Sequence, residues 1–326
     1  MKYLSVLLLC ILHIKSTAQD KILLLGSDVW PPFTNVEGEQ KVALDLVEEA
    51  LNRNGITARF EITTFEEVVN SIETGNIDGS SALWKNNERA KSIMFSAPYI
   101  QNKLVLISKK GSGLNSLGEI DLKNKRLGVI EFYAYGEELE KKEWKIVKGG
   151  SHQENLEKLL NGEIDFFLAD DLLVQYLMIN QREEVNTYLE IAKKPIITKS
   201  LHLAISKEYP NVENIIKRFN ETIVKMVADG SYNRILNLNW IRADVDGDGR
   251  LELVSTNNKV GKKAPQGSYS VLFNQNEKPA LSSDRYYIQG KFYNDWNSIP
   301  QEYKSAPRNQ ADVSRESSFK LGFKKR

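Results

Sequence analysis

Cysteine is almost absent from this sequence: Cys10 is the only one. It lies inside an N-terminal segment that reads as removable. The mature chain is therefore expected to hold no disulfide, no thiol nucleophile and no thiolate-bound metal. Histidine is nearly as scarce, with three in 326 residues. His152 and His202, the two beyond the N-terminal segment, sit in no recognisable serine-type or metal constellation. His202, within Leu201-His202-Leu203-Ala204, reads as one face of a strand. An excess of one charge is missing too: 44 Lys plus Arg against 43 Asp plus Glu leaves +1. Such a chain has no bulk field to recruit nucleic acid or anionic lipid. Beyond the N-terminus no apolar run approaches the roughly 20 residues that span a bilayer. What is present, 27% charged and 41% hydrophobic residues, is the balance of a soluble globular protein. A length of 326 residues exceeds what one core usually serves, so more than one domain is expected.

The N-terminus addresses the chain. Lys2 precedes an apolar run from Leu4 to Ile14, followed by Ser16-Thr17-Ala18 with small residues where a signal peptidase reads. Residues 1–18 are expected to be a secretory signal cleaved near Ala18, which makes the protein periplasmic or otherwise exported. A lipid anchor at Cys10 is the weaker alternative, because Leu9 is larger than the residue such sites prefer.

Strands and helices alternate along the next stretch. Lys21 to Leu25 is a short apolar run ending at Gly26, and Arg59 to Thr63 reads as a second strand. Between them Val42, Leu46, Val47, Ala50 and Leu51 fall at helical spacing, with Gly55 as a stop. Phe65, Val68, Val69 and Ile72 form another stripe that stops near Gly75. This alternation predicts an α/β fold with a mostly parallel sheet. Residues 65–84 and 152–170 repeat one order: apolar helix stripe, glycine, Ile-Asp, strand. The pairs are Gly75-Asn76-Ile77-Asp78 and Gly162-Glu163-Ile164-Asp165. Two similar lobes follow from that repeat. Asn102 to Lys109 reads as a strand leaving the first lobe, and Lys193 to His202 as the return. The stripe from Val212 to Val227 then ends at Gly230. The expected partition is lobe 1 over 19–105 and 197–240, lobe 2 over 106–196, and an extension over 241–326. Two strands joining two lobes suit hinge closure over a central cleft. In the extension, Arg285 to Ile288, Gln289-Gly290 and Lys291 to Tyr293 predict a hairpin. From Ser305 onward the chain is polar and basic.

Trp30-Pro31-Pro32-Phe33, Gly75-Asn76-Ile77-Asp78, Glu88-Arg89 and Phe95-Ser96-Ala97-Pro98-Tyr99 follow one another along the first part of the chain. Lys125-Arg126-Leu127-Gly128-Val129, Gly162-Glu163-Ile164-Asp165, Gly230-Ser231-Tyr232 and Asn239-Trp240 continue the series. By the order and spacing of these pieces, residues 20 to 240 resemble the family-3 periplasmic solute-binding proteins, whose usual ligands are polar amino acids. The resemblance implies a binding protein without catalytic residues that closes around an amino-acid-like solute, serving an ABC-type transporter. Arg89 would hold the ligand's α-carboxylate, a task suited to its planar fork. Asp170 would hold the α-ammonium, with Asp171 as competitor or helix cap. Trp30 and Phe65 would stack on the ligand side chain. Two stretches depart from the family pattern: Ser81-Ala82-Leu83-Trp84-Lys85 and Glu131-Phe132-Tyr133-Ala134-Tyr135-Gly136. Their bulk narrows the cleft and brings Trp84 and Tyr133 into the expected ligand-binding set.

Asp244-Val245-Asp246-Gly247-Asp248-Gly249-Arg250-Leu251-Glu252 is a calcium-type loop. Asp244, Asp246, Asp248 and Glu252 offer carboxylates, and Arg250 a backbone carbonyl. The residue where an EF-hand needs its last Glu is Ser255. Structural calcium is therefore the expected cofactor. An exported sensor that docks on a membrane receptor is the first alternative role. A cyclohexadienyl-type dehydratase using Glu131 or Asp171 is the second.

Overall fold

The computed structural model describes residues 22–117, 123–140, 143–236, 240–255, 259–262, 264–265, 269–271 and 281–304. The expected signal segment with Cys10 and Ala18, residue Asn239, and the basic stretch from Ser305 lie outside the described residues.

The first part of the chain runs β1 (Leu23–Ser27), α1 (Val42–Asn52), β2 (Ala58–Ile62), α2 (Phe65–Glu73), β3 (Gly79–Leu83), α3 (Arg89–Ser92) and β4 (Ile93–Phe95). The long strand β5 (Ile100–Lys109) leads into β6 (Arg126–Ile130), α4 (Glu137–Glu140), β7 (Lys145–Gly149), α5 (His152–Asn161) and β8 (Phe166–Asp170). Then come α6 (Asp171–Asn180), α7 (Arg182–Tyr188) and β9 (Leu189–Ile191). A second long strand, β10 (Ile197–Ser206), returns to α8 (Val212–Asp229) and α9 (Ser231–Leu236).

The helices form where the apolar stripes fall. Helix α1 buries Val42, Leu46, Val47, Ala50 and Leu51 on one face. Helix α2 opens with a capping box, Thr64 accepting from the Glu67 amide while the Glu67 carboxylate accepts from the Thr64 amide. Helices α5 and α8 end at Gly162 (φ 79°) and Gly230 (φ 84°), left-handed positions that cost glycine little.

The sequence repeat is a structural one. Asp78 accepts a hydrogen bond from the Leu24 amide at the start of β1, and Asp165 accepts one from the Arg126 amide at the start of β6, both at 2.8 Å. Ile77 packs on Gly26 as Ile164 packs on Gly128. Each Ile-Asp pair thus anchors the helix–strand unit to its lobe's first strand.

The main sheet has the order β2-β1-β3-β10-β5-β8-β6-β7, with β4 on β10 and β9 on β5. It is mixed rather than mostly parallel. Strand β1 runs parallel to β2 and β3, and β6 to β7 and β8, whereas each pairing made by β5 or β10 is antiparallel. The reason is the double crossing: β5 carries the chain across and β10 brings it back alongside. Ile197–Leu201 of β10 pair with β5, and His202–Ile205 pair with β3. The β3–β10 approach requires glycine, because a Cβ on Gly79 would lie 2.0 Å from the Ala204 carbonyl oxygen.

Beyond α9 a second sheet has the order β13-β11-β12-β14-β15, built from β11 (Ile241–Ala243), β12 (Arg250–Ser255), β13 (Tyr269–Val271), β14 (Leu281–Ile288) and β15 (Lys291–Tyr293). The expected hairpin forms, with Gln289 (φ 50°) and Gly290 (φ 80°) both left-handed in its two-residue turn. This sheet is seated on the lobes: Ile241, Ala243 and Val254 join the main core, and the Asn233 amide donates to the Val254 carbonyl at 3.2 Å. Among the described residues no helix is long and apolar enough to cross a membrane.

Candidate ligand-binding cleft

The two lobes meet over a cluster of aromatic rings. Trp30, in the loop after β1, lies 5.7 Å from Trp84 and 5.4 Å from Tyr133, edge to face in both cases. Phe65, the first residue of α2, meets Tyr133 at 4.6 Å. Trp30, Phe65, Trp84, Arg89 and Tyr133 line one pocket. Its volume is about 10 Å³, room for a single water. All six residues expected to bind ligand converge here, because Asp170 is tied to Trp30.

Polar bonds cross between the lobes at this cluster. The Trp30 indole Nε1 donates to Asp170 Oδ2 at 2.7 Å. Asp170 ends β8 and stands at the N-cap of α6, and its other oxygen accepts from the Asn102 side-chain amide on β5. The Tyr133 hydroxyl donates to Asp28 Oδ2 at 2.9 Å. Arg89 donates through Nη1 to the Trp84 carbonyl at 2.7 Å and through Nη2 to the Phe132 carbonyl at 2.9 Å. Each of its two terminal nitrogens therefore holds one backbone oxygen, Trp84's and Phe132's. Phe132 presents its carbonyl from a left-handed backbone (φ 63°), an unusual conformation for a bulky residue.

Burial sets the protonation states. Removal from water raises the Asp170 carboxyl to about 7 and the Asp28 carboxyl to about 6, against donors that pull the other way. It pulls His152 down to about 3, so His152 stays neutral and its 4.0 Å approach to Asp170 is no ion pair. It also lowers Arg89 to about 10, which leaves the guanidinium charged at neutral pH.

Sequence reasoning missed three members of this cluster. Asp28 and Asn102 are fully engaged with Tyr133 and Asp170. His152 stacks on Trp30 at 5.9 Å, and its buried Nδ1 has no hydrogen-bond partner. The one local signal for His152 was its place after Ser151, the N-cap of α5. Ser81, just before Trp84, shares a hydrogen bond with Ser27 at 2.8 Å. Asp171 is half-buried in the first turn of α6, and Glu131 pairs with Lys148 at 3.3 Å.

The 244–252 loop lies between β11 and β12. Carboxylate oxygens of Asp244, Asp246 and Glu252 lie within 4.8 Å of one another. Asp244 accepts from the Gly247 and Gly249 amides. Arg285 Nη2 reaches Asp246 at 2.9 Å, Asp248 at 3.4 Å and the fully buried Glu252 at 2.7 Å. Arg250 is exposed at the start of β12. Hard oxygen donors suit a hard cation, and the Arg285 guanidinium supplies positive charge at the same place.

Two lobes, two crossing strands and polar groups converging from both sides define a solute-binding protein. The chain belongs to the bacterial extracellular solute-binding proteins, family 3, which match residues 23–242. Family members bind substrates rather than turn them over. ABC transporter arginine-binding protein 1 of Escherichia coli (strain K12) is 25% identical over 227 residues, 68% of this chain and 90% of that protein. A probable histidine-binding protein of Campylobacter jejuni is 28% identical over 200 residues, 59% of this chain and 73% of that protein. Among solved structures, the GluR0 ligand-binding core from Nostoc punctiforme with L-glutamate has a TM-score of 0.56 at 18% identity, covering 66% of this chain and 97% of its own. The arginine-, lysine-, histidine-binding protein ArtJ of Geobacillus stearothermophilus reaches 0.57 at 21% identity, covering 67% and 94%. These structural likenesses establish the fold.

Proposed function

We propose that this protein closes around a cationic amino acid and delivers it to an ABC-type membrane transporter. The observation that carries the reading is the pairing of acid and base at one aromatic pocket. Arg89 offers a carboxylate-shaped fork, and Asp170 offers a buried carboxylate on the opposite lobe. In this reading Arg89 takes the α-carboxylate in place of the two carbonyls, and Asp170 takes the α-ammonium. Trp30, Phe65, Trp84 and Tyr133 surround the side chain. Asp28 adds a second buried acid, and a cation gains from acids and ring faces alike. The names of the arginine- and histidine-binding relatives support the same class. Export through a signal cleaved near Ala18 belongs to the proposal, as does closure of 19–105 with 197–240 against 106–196.

The pocket holds about 10 Å³ when the lobes meet through Tyr133, so entry of a solute requires that ring to move or the lobes to part. The test is calorimetry of the mature protein against arginine, lysine, histidine, glutamine and glutamate, with small-angle scattering at saturation. Saturable binding of a basic amino acid is expected. Heatless titrations throughout the series sink the proposal.

Structural calcium in the 244–252 loop is a second part of the proposal. The clustered carboxylates support it, and a calcium ion there has to displace the Arg285 guanidinium.

A further inference from the structure

His152 is buried among the rings of the cleft, 2% exposed, with polar atoms left over. It stacks on Trp30 at 5.9 Å with 12° between the planes, and it meets Tyr133 and Phe167 edge to face, each at 6.0 Å. Its Nδ1 has no hydrogen-bond partner. Its Nε2 lies 4.0 Å from Asp170 Oδ2, too far for a hydrogen bond. A phenylalanine would fill the same space without burying a polar group, so the two nitrogens call for a reason.

The spacing between His152 and Asp170 is set on one side of the cleft. His152 is the first residue of α5, and Asp170 ends β8. Leu156 and Leu159 of α5 pack with Phe167 and Ala169 of β8 in one buried cluster, which fixes the two elements against each other. Asp170 Oδ2 accepts from Trp30 and Oδ1 from Asn102. A carboxylate oxygen has two lone pairs, so Oδ2 can take one donor more. Burial keeps His152 neutral, and a neutral imidazole has one nitrogen that accepts. With the proton on Nδ1, Nε2 and Asp170 Oδ2 are two acceptors on one gap. A nitrogen about 2.9 Å from each spans their 4.0 Å separation, its two bonds meeting at roughly a right angle.

We propose that His152 is a second acceptor for the solute's ammonium, and that with Asp170 it selects α-amino acids over the corresponding α-hydroxy acids. The inference rests on the reading above in which Asp170 takes the α-ammonium. An ammonium has three N–H bonds and serves both acceptors at once, whereas a hydroxyl has one O–H and serves one. A hydroxy acid in the same place leaves either Nε2 or the carboxylate without its donor.

The test is calorimetry near neutral pH with L-arginine and L-argininic acid, which carry an α-ammonium and an α-hydroxyl on the same frame. If lysine or histidine is the tighter ligand, that amino acid and its α-hydroxy acid replace this pair. His152→Phe keeps a ring and removes both nitrogens. It should weaken arginine about tenfold or more and leave argininic acid within about threefold, so that the preference narrows. Melting curves check that the variant folds. Nitrogen-15 spectra of the wild-type complex give a second readout: the histidine signal missing from His152→Phe should report its proton on Nδ1. Unchanged arginine affinity in His152→Phe overturns the proposal, as does an equal loss of both probes, which marks the ring as packing alone. A proton on Nε2 in the complex overturns it too. A wild type silent to the whole amino-acid series sinks the reading of Asp170 and this inference with it. A wild type and a His152→Phe variant that bind arginine alike sink this inference only.

Discussion

Trp30 Nε1 and Asp170 Oδ2, 140 residues apart in the chain, form a 2.7 Å hydrogen bond across the cleft. The bond gives a buried carboxylate one of its two side-chain donors, the other being Asn102. It also makes the closed arrangement self-sufficient, because Asp170 has partners before any solute arrives. A solute ammonium must therefore add to this bonding or replace part of it.

Replacing Asp170 tests that competition. Asp170→Asn keeps the shape and removes the charge, and affinity for a basic amino acid should fall by about 2–3 kcal/mol. Arg89→Ala should cost about 2–4 kcal/mol, and Arg89→Lys should recover little of it, since an ammonium cannot supply two parallel bonds. Calorimetry on the three variants decides the matter; wild-type affinity in both Asp170→Asn and Arg89→Ala removes these residues from the site.

Stability should depend on pH through Asp170 and Asp28. Both carboxyls are raised by burial from 3.8, to about 7 and about 6. Between the two values the folded chain binds more protons than the unfolded one. Their contribution is therefore fully present below about 3.8 and is lost as pH rises to about 7, then stays flat. Urea denaturation of wild type and of Asp28→Asn with Asp170→Asn should diverge across that window in this sense. A cationic solute favours ionised Asp170, so binding near pH 6 should release protons. Calorimetry in buffers of different ionisation enthalpy measures that release, and a buffer-independent enthalpy would count against Asp170 as the ammonium partner.

Tyr133→Phe keeps the ring in the aromatic cluster and deletes its bond to Asp28. At pH 8, where Asp28 is ionised, the loss of a donor to a buried charge should cost about 1–3 kcal/mol of stability. At pH 5 the protonated carboxyl needs that donor less, so the cost should shrink. Denaturation at the two pH values checks it; equal costs would mean that the ring and not the hydroxyl matters.

Calcium and Arg285 should compete. Arg285→Met leaves the fully buried Glu252 without its guanidinium partner, so the C-terminal sheet should melt earlier in chelator. Millimolar calcium should restore it and should bind the variant more tightly than wild type. Thermal melts and calorimetry with and without calcium are the readouts. If calcium binds neither protein, Arg285 alone is the cation of this loop.

Much of the fold was legible because its signals are local. The stripe from Val42 to Leu51 marks a buried helix face whatever it packs against. Gly162 and Gly230 end helices because a left-handed residue is cheapest as glycine. Gln289-Gly290 sets its hairpin within two residues. The Ile-Asp repeat was also visible, and each aspartate anchors its lobe in the same way. Arg89, Asp170, Trp30 and Phe65 were read by resemblance; Arg89, Trp30 and Phe65 line one pocket, and Asp170 is hydrogen-bonded to Trp30.

By itself the sequence determined the helix and strand units, their repetition, the two crossings and the identity of the aromatics and acids available to a cleft. Only the tertiary structure decided which of these meet. Asp28 finds Tyr133 across 105 residues, Asn102 finds Asp170 across 68, and Arg285 finds Glu252 across 33. His152, unremarkable in sequence, stacks on Trp30 only because the lobes close. Periodicity and turn chemistry act over a few residues, and so a single stretch of chain reports them. Contacts across a cleft depend on strand order, register and closure of the whole molecule, and no short stretch encodes those alone.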